Sequence, residues 1–289
     1  MSEAGDKPFG TVAIIGVGLI GGSVGMALRR SGLAQTVLGV EPERSRIWAA
    51  RDAGAIDYLV TDWGKATADA DLVVISTPVG SIVEIIGELM TWVKPGAVVT
   101  DVGSTKSAIV QKAGANAFFV GGHPMTGSER AGVEAARADL FEGATWALTP
   151  TPHTDAQALA LVERLAHTLG AKTLVLTAEA HDAMTAVTSH LPHALASSLM
   201  RQAAALRETY PQAVNLSAGS FAGATRVAAS PPEIWRDVCL SNKDALLAAL
   251  HDFRAQLDSL EAALSAEDGA AIEAFFVQGR AAKNEWDKR

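Results

Sequence analysis

The chain has 289 residues, of which 48% are hydrophobic and 19% are charged. At roughly 150 residues per domain, this length predicts about two globular domains, and the composition excludes a disordered chain or a small disulfide-stapled scaffold. The formal net charge of -8 argues against nucleic acid and membrane surfaces as partners, because acidic surfaces repel phosphate groups. Cys239 is the single cysteine and the start has no signal-peptide pattern, so the expected location is the cytoplasm.

The first strong pattern is a strand, a glycine turn and a helix. Residues 11–15 form a β-branched apolar run, and helical spacing begins at residue 24. Gly16 can make the tight turn, Gly18 can admit a pyrophosphate to the backbone, and Gly21 can let the helix pack closely on the strand. The pattern therefore predicts dinucleotide binding at a helix N-terminus. The predicted cofactor-binding residues of this turn are Gly16, Gly18, Leu19, Ile20 and Gly21.

The second predicted strand, residues 36–40, bears on the choice of cofactor. It ends in Glu41, about twenty positions after the glycine turn, where a carboxylate can accept hydrogen bonds from the adenosine ribose and repel a 2′-phosphate. Arg44 and Arg46 could bind that phosphate, although the solvated face of a helix is the simpler interpretation. NAD is predicted, and NADP stays open.

Strands and helices continue to alternate through the first part of the chain. Such alternation predicts a parallel sheet and a Rossmann-type α/β domain over residues 1–177. The further predicted strands are 71–76, 97–101, 117–120, 144–149 and 172–177, with helices over 82–92, 106–113 and 156–169.

Polar residues that directly follow these strands are expected at the carboxyl edge of the sheet, where ligands bind. They include Ser76, Thr77, Pro78, Gly103, Ser104 and His123. Pro124 disfavours helical geometry at His123, so an imidazole following the strand could act as a general base near neutral pH. The alternative is a histidine that only satisfies backbone groups at the end of a strand.

From residue 178 onward the pattern is helical, which predicts an all-α domain over 178–289. Its helices are rich in alanine, which suits close packing and a subunit interface. A glycine-rich stretch ends in Arg226, whose guanidinium could bind a carboxylate, although an ordinary surface arginine is an equal alternative. His190 and His193 are three residues apart, but no Cys pair or carboxylate cluster accompanies them, so no metal is predicted.

Taken together, these segments resemble the prephenate and arogenate (cyclohexadienyl) dehydrogenases of tyrosine biosynthesis. The resemblance covers nearly the whole chain, and its more specific segments are those around His123 and His190. The matching segments are GVGLIGGS at 16–23, DVGSTK at 101–106, GGHPMTGSE at 121–129, SHLPHA at 189–194, TR at 225–226 and WRD at 235–237.

The resemblance implies an oxidative decarboxylation, in which a hydride passes from a cyclohexadiene ring to NAD and the ring carboxylate leaves as carbon dioxide. It implies that His123 accepts the proton of the ring hydroxyl and that Ser104 hydrogen-bonds this hydroxyl or His123. It also implies a homodimer through the helical domain. The implied substrate-binding residues are Arg226, His193, Ser128, Glu129 and Trp235, the last from the partner subunit.

One departure from the family affects the expected substrate. Relatives often carry a basic residue followed by Asp where this chain has Ala222 and Gly223, so a charged pair that could read the substrate side chain is missing. We therefore expect arogenate to be accepted as well as prephenate.

Two other functions remain as alternatives. One is a different hydroxy-acid dehydrogenase with a Rossmann domain and a helical domain, which is disfavoured because no lysine occurs between Lys172 and Lys243. The other is a regulatory protein that binds NAD without catalysis.

Overall fold

The computed structural model describes residues 9–41, 44–127 and 132–288. Eight strands form one sheet in the order β3-β2-β1-β4-β5-β6-β7-β8. The strands are β1 Thr11–Ile15, β2 Thr36–Val40, β3 Tyr58–Val60, β4 Leu72–Ile75, β5 Val98–Asp101, β6 Phe119–Pro124, β7 Thr145–Thr149 and β8 Lys172–Val175. The sheet is the Rossmann-type architecture expected from the alternating pattern.

Six helices accompany these strands, and they cover both faces of the sheet. They are α1 Leu19–Ser31, α2 Arg44–Asp52, α3 Trp63–Asp69, α4 Val79–Leu89, α5 Ser107–Ala113 and α6 Ala156–Thr168. Along β1, Val12 and Ile14 pack into one apolar core with α1 and α6, and Ala13 and Ile15 pack into another with α4 and α5. Burial on both faces explains why the strands are continuous apolar runs.

Three elements of the first part were not predicted from the sequence: β3, α3 and a 3₁₀ turn at Val133–Ala135. β3 has three residues and a largely exposed Tyr58, so it lacks a buried apolar run. α3 is short, but Asp62 caps it by accepting hydrogen bonds from Gly64 N and Lys65 N. An Asp at a helix start is a recognisable capping signal, and it could have indicated this helix.

The prediction that His123 follows a strand is wrong, because His123 lies inside β6. β6 pairs antiparallel with β7, and His123 lies opposite Ala147. This pairing extends β6 beyond its apolar run, through Gly121 and Gly122 to Pro124. Every other pair in the sheet is parallel, as predicted.

Within residues 178–288, the described elements are all helical, as predicted. They begin with α7 Ala178–Thr185, a π-helical turn Ala186–His190 and α8 Leu191–Thr209. Next come a 3₁₀ turn Pro211–Leu216, α9 Gly219–Thr225, a 3₁₀ turn Arg226–Ala229, α10 Pro232–Ser241, α11 Lys243–Ser265 and α12 Gly269–Trp286. None of the described helices is long and apolar enough to cross a membrane.

The chain divides into two compact units. The first extends to Asn242 and contains the sheet together with the helices as far as α10. The second begins at Lys243 and consists of α11 and α12, which pack against each other.

Candidate active site

A cavity of about 580 Å³ lies at the carboxyl edge of the sheet in the first unit. Most of the site residues predicted from the sequence line it. They are Gly18, Leu19, Ile20, Ser76, Thr77, Pro78, Gly103, Ser104, His123, His193, Arg226 and Trp235. Gly16, Gly21 and Glu41 are not among its lining residues, and Ser128 and Glu129 lie outside the described residues.

The glycine turn is shaped by the backbone around it. Gly16 has a φ of 89°, and a Cβ atom there would lie 2.6 Å from the carbonyl oxygen of Ser76. A Cβ on Gly21 would lie 2.1 Å from the carbonyl oxygen of Gly16. Both positions therefore require glycine, although neither contacts the cavity.

The start of α1 suits an anionic cofactor group. Gly18 is its N-cap residue, no side chain caps the helix, and a Cβ on Gly18 would meet nothing within 4 Å. Thr77 lines the same cavity, and its Oγ1 is buried with no hydrogen-bond partner among the described residues. Free backbone N–H groups at a helix start and an unpaired hydroxyl fit a dinucleotide pyrophosphate and its surroundings.

Glu41 lies next to the glycine turn, at the end of β2. Its side chain is buried, and its Oε2 accepts a hydrogen bond of 3.3 Å from Val17 N. This contact places the predicted ribose-binding carboxylate beside the turn that follows β1. The side chains of Arg44 and Arg46 lie outside the described part of the chain.

His123 forms the cavity end of a row of three side chains. Its Nδ1 is 2.8 Å from Nε2 of His181, and Nδ1 of His181 is 2.8 Å from Oδ1 of Asp182. Burial lowers the pKa of His123 well below 6.5, and the neighbouring His181, Lys106 and His190 lower it further. At neutral pH His123 is therefore uncharged, as a general base must be.

Asp182 anchors this row as a carboxylate. Burial acts to raise its pKa, but hydrogen bonds from His181, Ser107 and the backbone N–H of Lys106 outweigh burial and lower it. The two backbone bonds, from Lys106 N and Ser107 N, measure 2.7 and 2.8 Å. His181 and Asp182 were not predicted as site residues, although an adjacent His-Asp pair where the helical part begins was a visible signal.

A second buried charge lies beneath the loop that carries Ser104. Lys106 and Asp101 form an ion pair with no exposure of either side chain. Lys106 Nζ also donates a hydrogen bond of 2.6 Å to the carbonyl oxygen of Gly122. Asp101 accepts one of 2.7 Å from Gly103 N. The pair thus connects the end of β5 to β6 and holds the segments before Ser104 and His123 in place.

Ser104 lines the cavity near His123, but its predicted hydrogen bond to His123 is not among those of the described residues. In the described part of the chain, Nδ1 of His123 is hydrogen-bonded to His181 instead. The other implied role of Ser104, a hydrogen bond to the substrate hydroxyl, is a contact with a ligand and stays a prediction.

The π-helical turn places further polar groups at the cavity. Ser189, His190 and His193 line it, and Asn242 Nδ2 bonds both the Asp182 carbonyl oxygen, at 2.8 Å, and His190 Nδ1, at 3.1 Å. Burial lowers the pKa of His190 to about 4. The sequence prediction included His193 but missed His190 as a cavity residue.

His193 and Trp235 form one wall of the cavity. Their rings are stacked with centroids 3.5 Å apart, and His193 Nδ1 bonds the Ser189 carbonyl oxygen at 2.9 Å. Arg226 lines the cavity as well. In this structure Trp235 therefore contacts the cavity of its own chain, whereas the resemblance implied a residue from the partner subunit.

The described residues contain no group of three or more His, Cys, Asp and Glu side chains that could hold a metal ion.

Two family models match the chain. Residues 24–175 match the model described as prephenate dehydrogenase, nucleotide-binding domain, and residues 177–278 match prephenate dehydrogenase, dimerization domain. Among curated relatives, a prephenate dehydrogenase of Bacillus subtilis is 34% identical over 92% of this chain and 73% of its own length. A cyclohexadienyl dehydrogenase of Zymomonas mobilis is 34% identical over 95% of both chains.

Solved structures agree with these matches. The crystal structure of prephenate dehydrogenase from A. aeolicus, in complex with hydroxyphenyl propionate and NAD+, has a TM-score of 0.86 and 34% identity, covering 95% of this chain and 97% of that one. Synechocystis arogenate dehydrogenase has a TM-score of 0.82 and 30% identity, covering 96% and 99%. With both domain models matched and relatives at this identity over nearly the whole chain, the chain belongs to the prephenate dehydrogenase family.

Proposed function

We propose that this chain catalyses the NAD-dependent oxidative decarboxylation of prephenate, and of arogenate, in tyrosine biosynthesis. The observation that carries the proposal is that one and the same cavity is lined by the open N-terminus of α1 and by His123. A dinucleotide site and a neutral imidazole thus meet where a hydride and a proton must leave the same substrate. The relatives named prephenate, cyclohexadienyl and arogenate dehydrogenase support this function.

NAD is the proposed cofactor, and when bound it accepts the hydride. Gly18 and the first turn of α1 would hold its pyrophosphate, and Ser76, Thr77, Pro78 and Gly103 would line its path. Glu41, next to the turn, favours NAD because its carboxylate would repel the 2′-phosphate of NADP. A comparison of kcat/KM for NAD and NADP would test this preference.

His123 is the proposed general base. As hydride leaves the carbinol carbon, Nε2 of His123 takes the proton of the ring hydroxyl. Removal of this proton stabilises the developing carbonyl. The ring carboxylate then leaves as carbon dioxide, and the ring becomes aromatic. Ser104, at the same cavity, would hydrogen-bond the hydroxyl and orient it.

The remaining predicted residues would hold the substrate. Arg226 suits a substrate carboxylate because a guanidinium can bind it with two parallel hydrogen bonds. The stacked rings of His193 and Trp235 offer an aromatic wall to the cyclohexadiene. Ser128 and Glu129 are retained as residues of the pocket rim.

The proposed organisation follows the two family models. Residues 1–177 form the dinucleotide-binding domain, and residues 178–289 form the helical domain for substrate binding and dimerisation; the first matches a nucleotide-binding model and the second a dimerization model. The active form is a homodimer in the cytoplasm.

The test is NADH formation, followed by absorbance, with prephenate and with arogenate as substrates. We expect NADH with both. If neither substrate gives NADH, the proposed activity is contradicted. If kcat/KM for prephenate exceeds that for arogenate by more than about a thousandfold, or ~4 kcal/mol, only the proposed use of arogenate is contradicted.

A further inference from the structure

Asp182, His181 and His123 form a hydrogen-bonded row that runs from the interior to the cavity. His181 is 2% exposed and Asp182 4% exposed. The two hydrogen bonds of the row are each 2.8 Å, and they use Nδ1 of both histidines. The remaining ring nitrogen of His123 is Nε2, and His123 lines the cavity.

The chemistry of the groups gives this row a direction. An ionised carboxylate can only accept hydrogen bonds, so Nδ1 of His181 must carry a hydrogen. In the neutral form of His181, this is the only N–H of the ring, and Nε2 is left as an acceptor. Nδ1 of His123 must then be the donor to it, and Nε2 of His123 keeps its lone pair.

We infer that Asp182 and His181 are positioning residues that hold His123 in the Nδ1–H form, with Nε2 free to accept the substrate proton. The inference rests on the proposed role of His123 as the base. The opposite form would present an N–H to the ring hydroxyl, and such a group cannot accept a proton.

The same row stabilises His123 after it accepts the proton. The imidazolium still donates from Nδ1 to His181, and the negative charge of Asp182 favours the charged ring. The positive charge of Lys106 opposes that of the ring, and His181 and His190 would oppose it in the same way when protonated. Removal of the Asp182 charge therefore makes His123 a weaker base and lowers its pKa.

Asp182 has a structural role as well, so a substitution there has two effects that must be distinguished. Lys106, at the N-cap position of α5, forms no side-chain capping bond, and the Asp182 carboxylate accepts from Lys106 N and Ser107 N instead. A substitution of Asp182 thus also weakens the start of α5. Ser107→Ala is the matched control, because it removes the Ser107 side-chain hydrogen bond to Asp182 and leaves the histidine row intact.

The first experiment measures kcat, KM and the pH profile of Asp182→Asn. Its amide cannot accept all the hydrogen bonds that Asp182 accepts, and an amide N–H facing His181 would reverse the row. We expect kcat to fall by at least about 100-fold with NAD affinity kept within about twofold. We also expect the acid limb of kcat/KM to move to lower pH, because the base is active above its pKa and that pKa falls.

The Ser107→Ala control should keep kcat within about threefold and leave the acid limb in place. An Asp182→Asn enzyme with a native thermal melt, near-native kcat and an unmoved acid limb would overturn the inference.

The second experiment compares His181→Gln with His181→Leu. A glutamine amide oxygen can accept the Nδ1–H of His123, whereas leucine cannot, so the glutamine variant should retain at least about tenfold more of kcat. Equal kcat in the two variants would contradict a role for this acceptor.

A third measurement needs no substrate and so separates this inference from the proposed function. ¹⁵N chemical shifts of the imidazoles, with His123→Asn used to assign the His123 signals, report which nitrogen carries the hydrogen. We expect Nδ1–H at His123 in the wild type and loss of that form in Asp182→Asn. A wild-type His123 with hydrogen on Nε2 would refute the inference even if NADH formation is observed.

Discussion

Lys106 and Asp101 form a buried ion pair that fixes the segments next to the site residues. Both side chains are fully buried, and their ion pair also binds Gly122 and Gly103 of the neighbouring segments. Burial lowers the pKa of Lys106, although Asp101 acts in the opposite direction. Removal of one partner would leave an uncompensated charge in the interior, which costs more than the pair itself contributes.

Lys106→Met should therefore destabilise the protein by about 3–5 kcal/mol, measured by urea unfolding at pH 7. Lys112→Met, on the exposed side of α5, should change the free energy of unfolding by less than about 0.5 kcal/mol. The double variant with Asp101→Asn should recover part of the loss, because the unpaired carboxylate is gone. A Lys106→Met protein as stable as the wild type would show that the pair is not needed.

The proposed base makes a second prediction for a single residue. His123→Asn removes the proton acceptor at the cavity, so turnover should fall by at least about 100-fold while NAD binding stays intact. His167→Asn is the matched control, since His167 is exposed on α6 and far in sequence from the cavity residues. Wild-type turnover in His123→Asn would rule out the base assignment.

At the scale of elements, the π-helical turn between α7 and α8 aligns the helical side of the site. Residues 178–209 are helical throughout, and the turn at Ala186–His190 changes the helical register inside that length. As a result His181 and Asp182, before the turn, and His190, its last residue, share one hydrogen-bonded cluster with Asn242. Single π turns of this kind occur often at functional sites.

Deletion of Val187, which is exposed, tests this function of the turn. With one residue fewer, the segment can become regular α-helix. Ser189 and His190, which lie inside the turn, would then lose their present positions at the cavity, while His193 beyond the turn would keep its direction. We expect kcat/KM for prephenate to fall by at least about 100-fold, with helix content by circular dichroism and NAD binding unchanged. Val187→Ala, which keeps the length, should behave like the wild type, and an active deletion variant would contradict the argument.

At the scale of the whole molecule, the helical part exposes many large apolar side chains. In the second unit, α11 and α12 expose Leu247, Leu257, Leu264, Phe276, Val277 and Trp286. Extended apolar surface of this kind is typical of an interface between subunits. The match of residues 177–278 to a dimerization domain agrees with that interpretation.

We expect a solution mass of twice the 30.0 kDa chain, measured by light scattering after gel filtration. Phe276→Asp places a charge on the exposed apolar surface and should shift the protein toward the monomer. Gln278→Asp adds the same charge at an exposed polar position of α12 and should leave the dimer intact. A monomeric wild type would refute the proposed assembly.

The net charge of the chain is negative, whereas the proposed site must attract anions. A chain with a net charge of -8 is proposed to bind an anionic substrate and an anionic cofactor. Among the residues that the structure describes, the positive groups at the cavity are Arg226 and the open N-terminus of α1. Binding of anions therefore depends on local groups, and the total charge is not a guide to it.

The sequence by itself determined the glycine turn, the first two strands, the helical second part and the identity of His123, Ser104 and Arg226 as site candidates. Such features are local: apolar periodicity, glycine spacing and polar residues after strands are readable within a few positions. They also explain why most of the predicted site residues line one cavity.

Only the tertiary structure decided the antiparallel pairing that places His123 inside β6, the contact of Trp235 with its own chain's cavity, and the row from Asp182 to His123. His123 and His181 are 58 positions apart, and the N–H groups of Lys106 and Ser107 that bind Asp182 are 76 and 75 positions from it. No periodicity connects residues at such separations. Their hydrogen bonds exist because packing of α7 against α5 and the sheet buries these groups together, where each must find a partner.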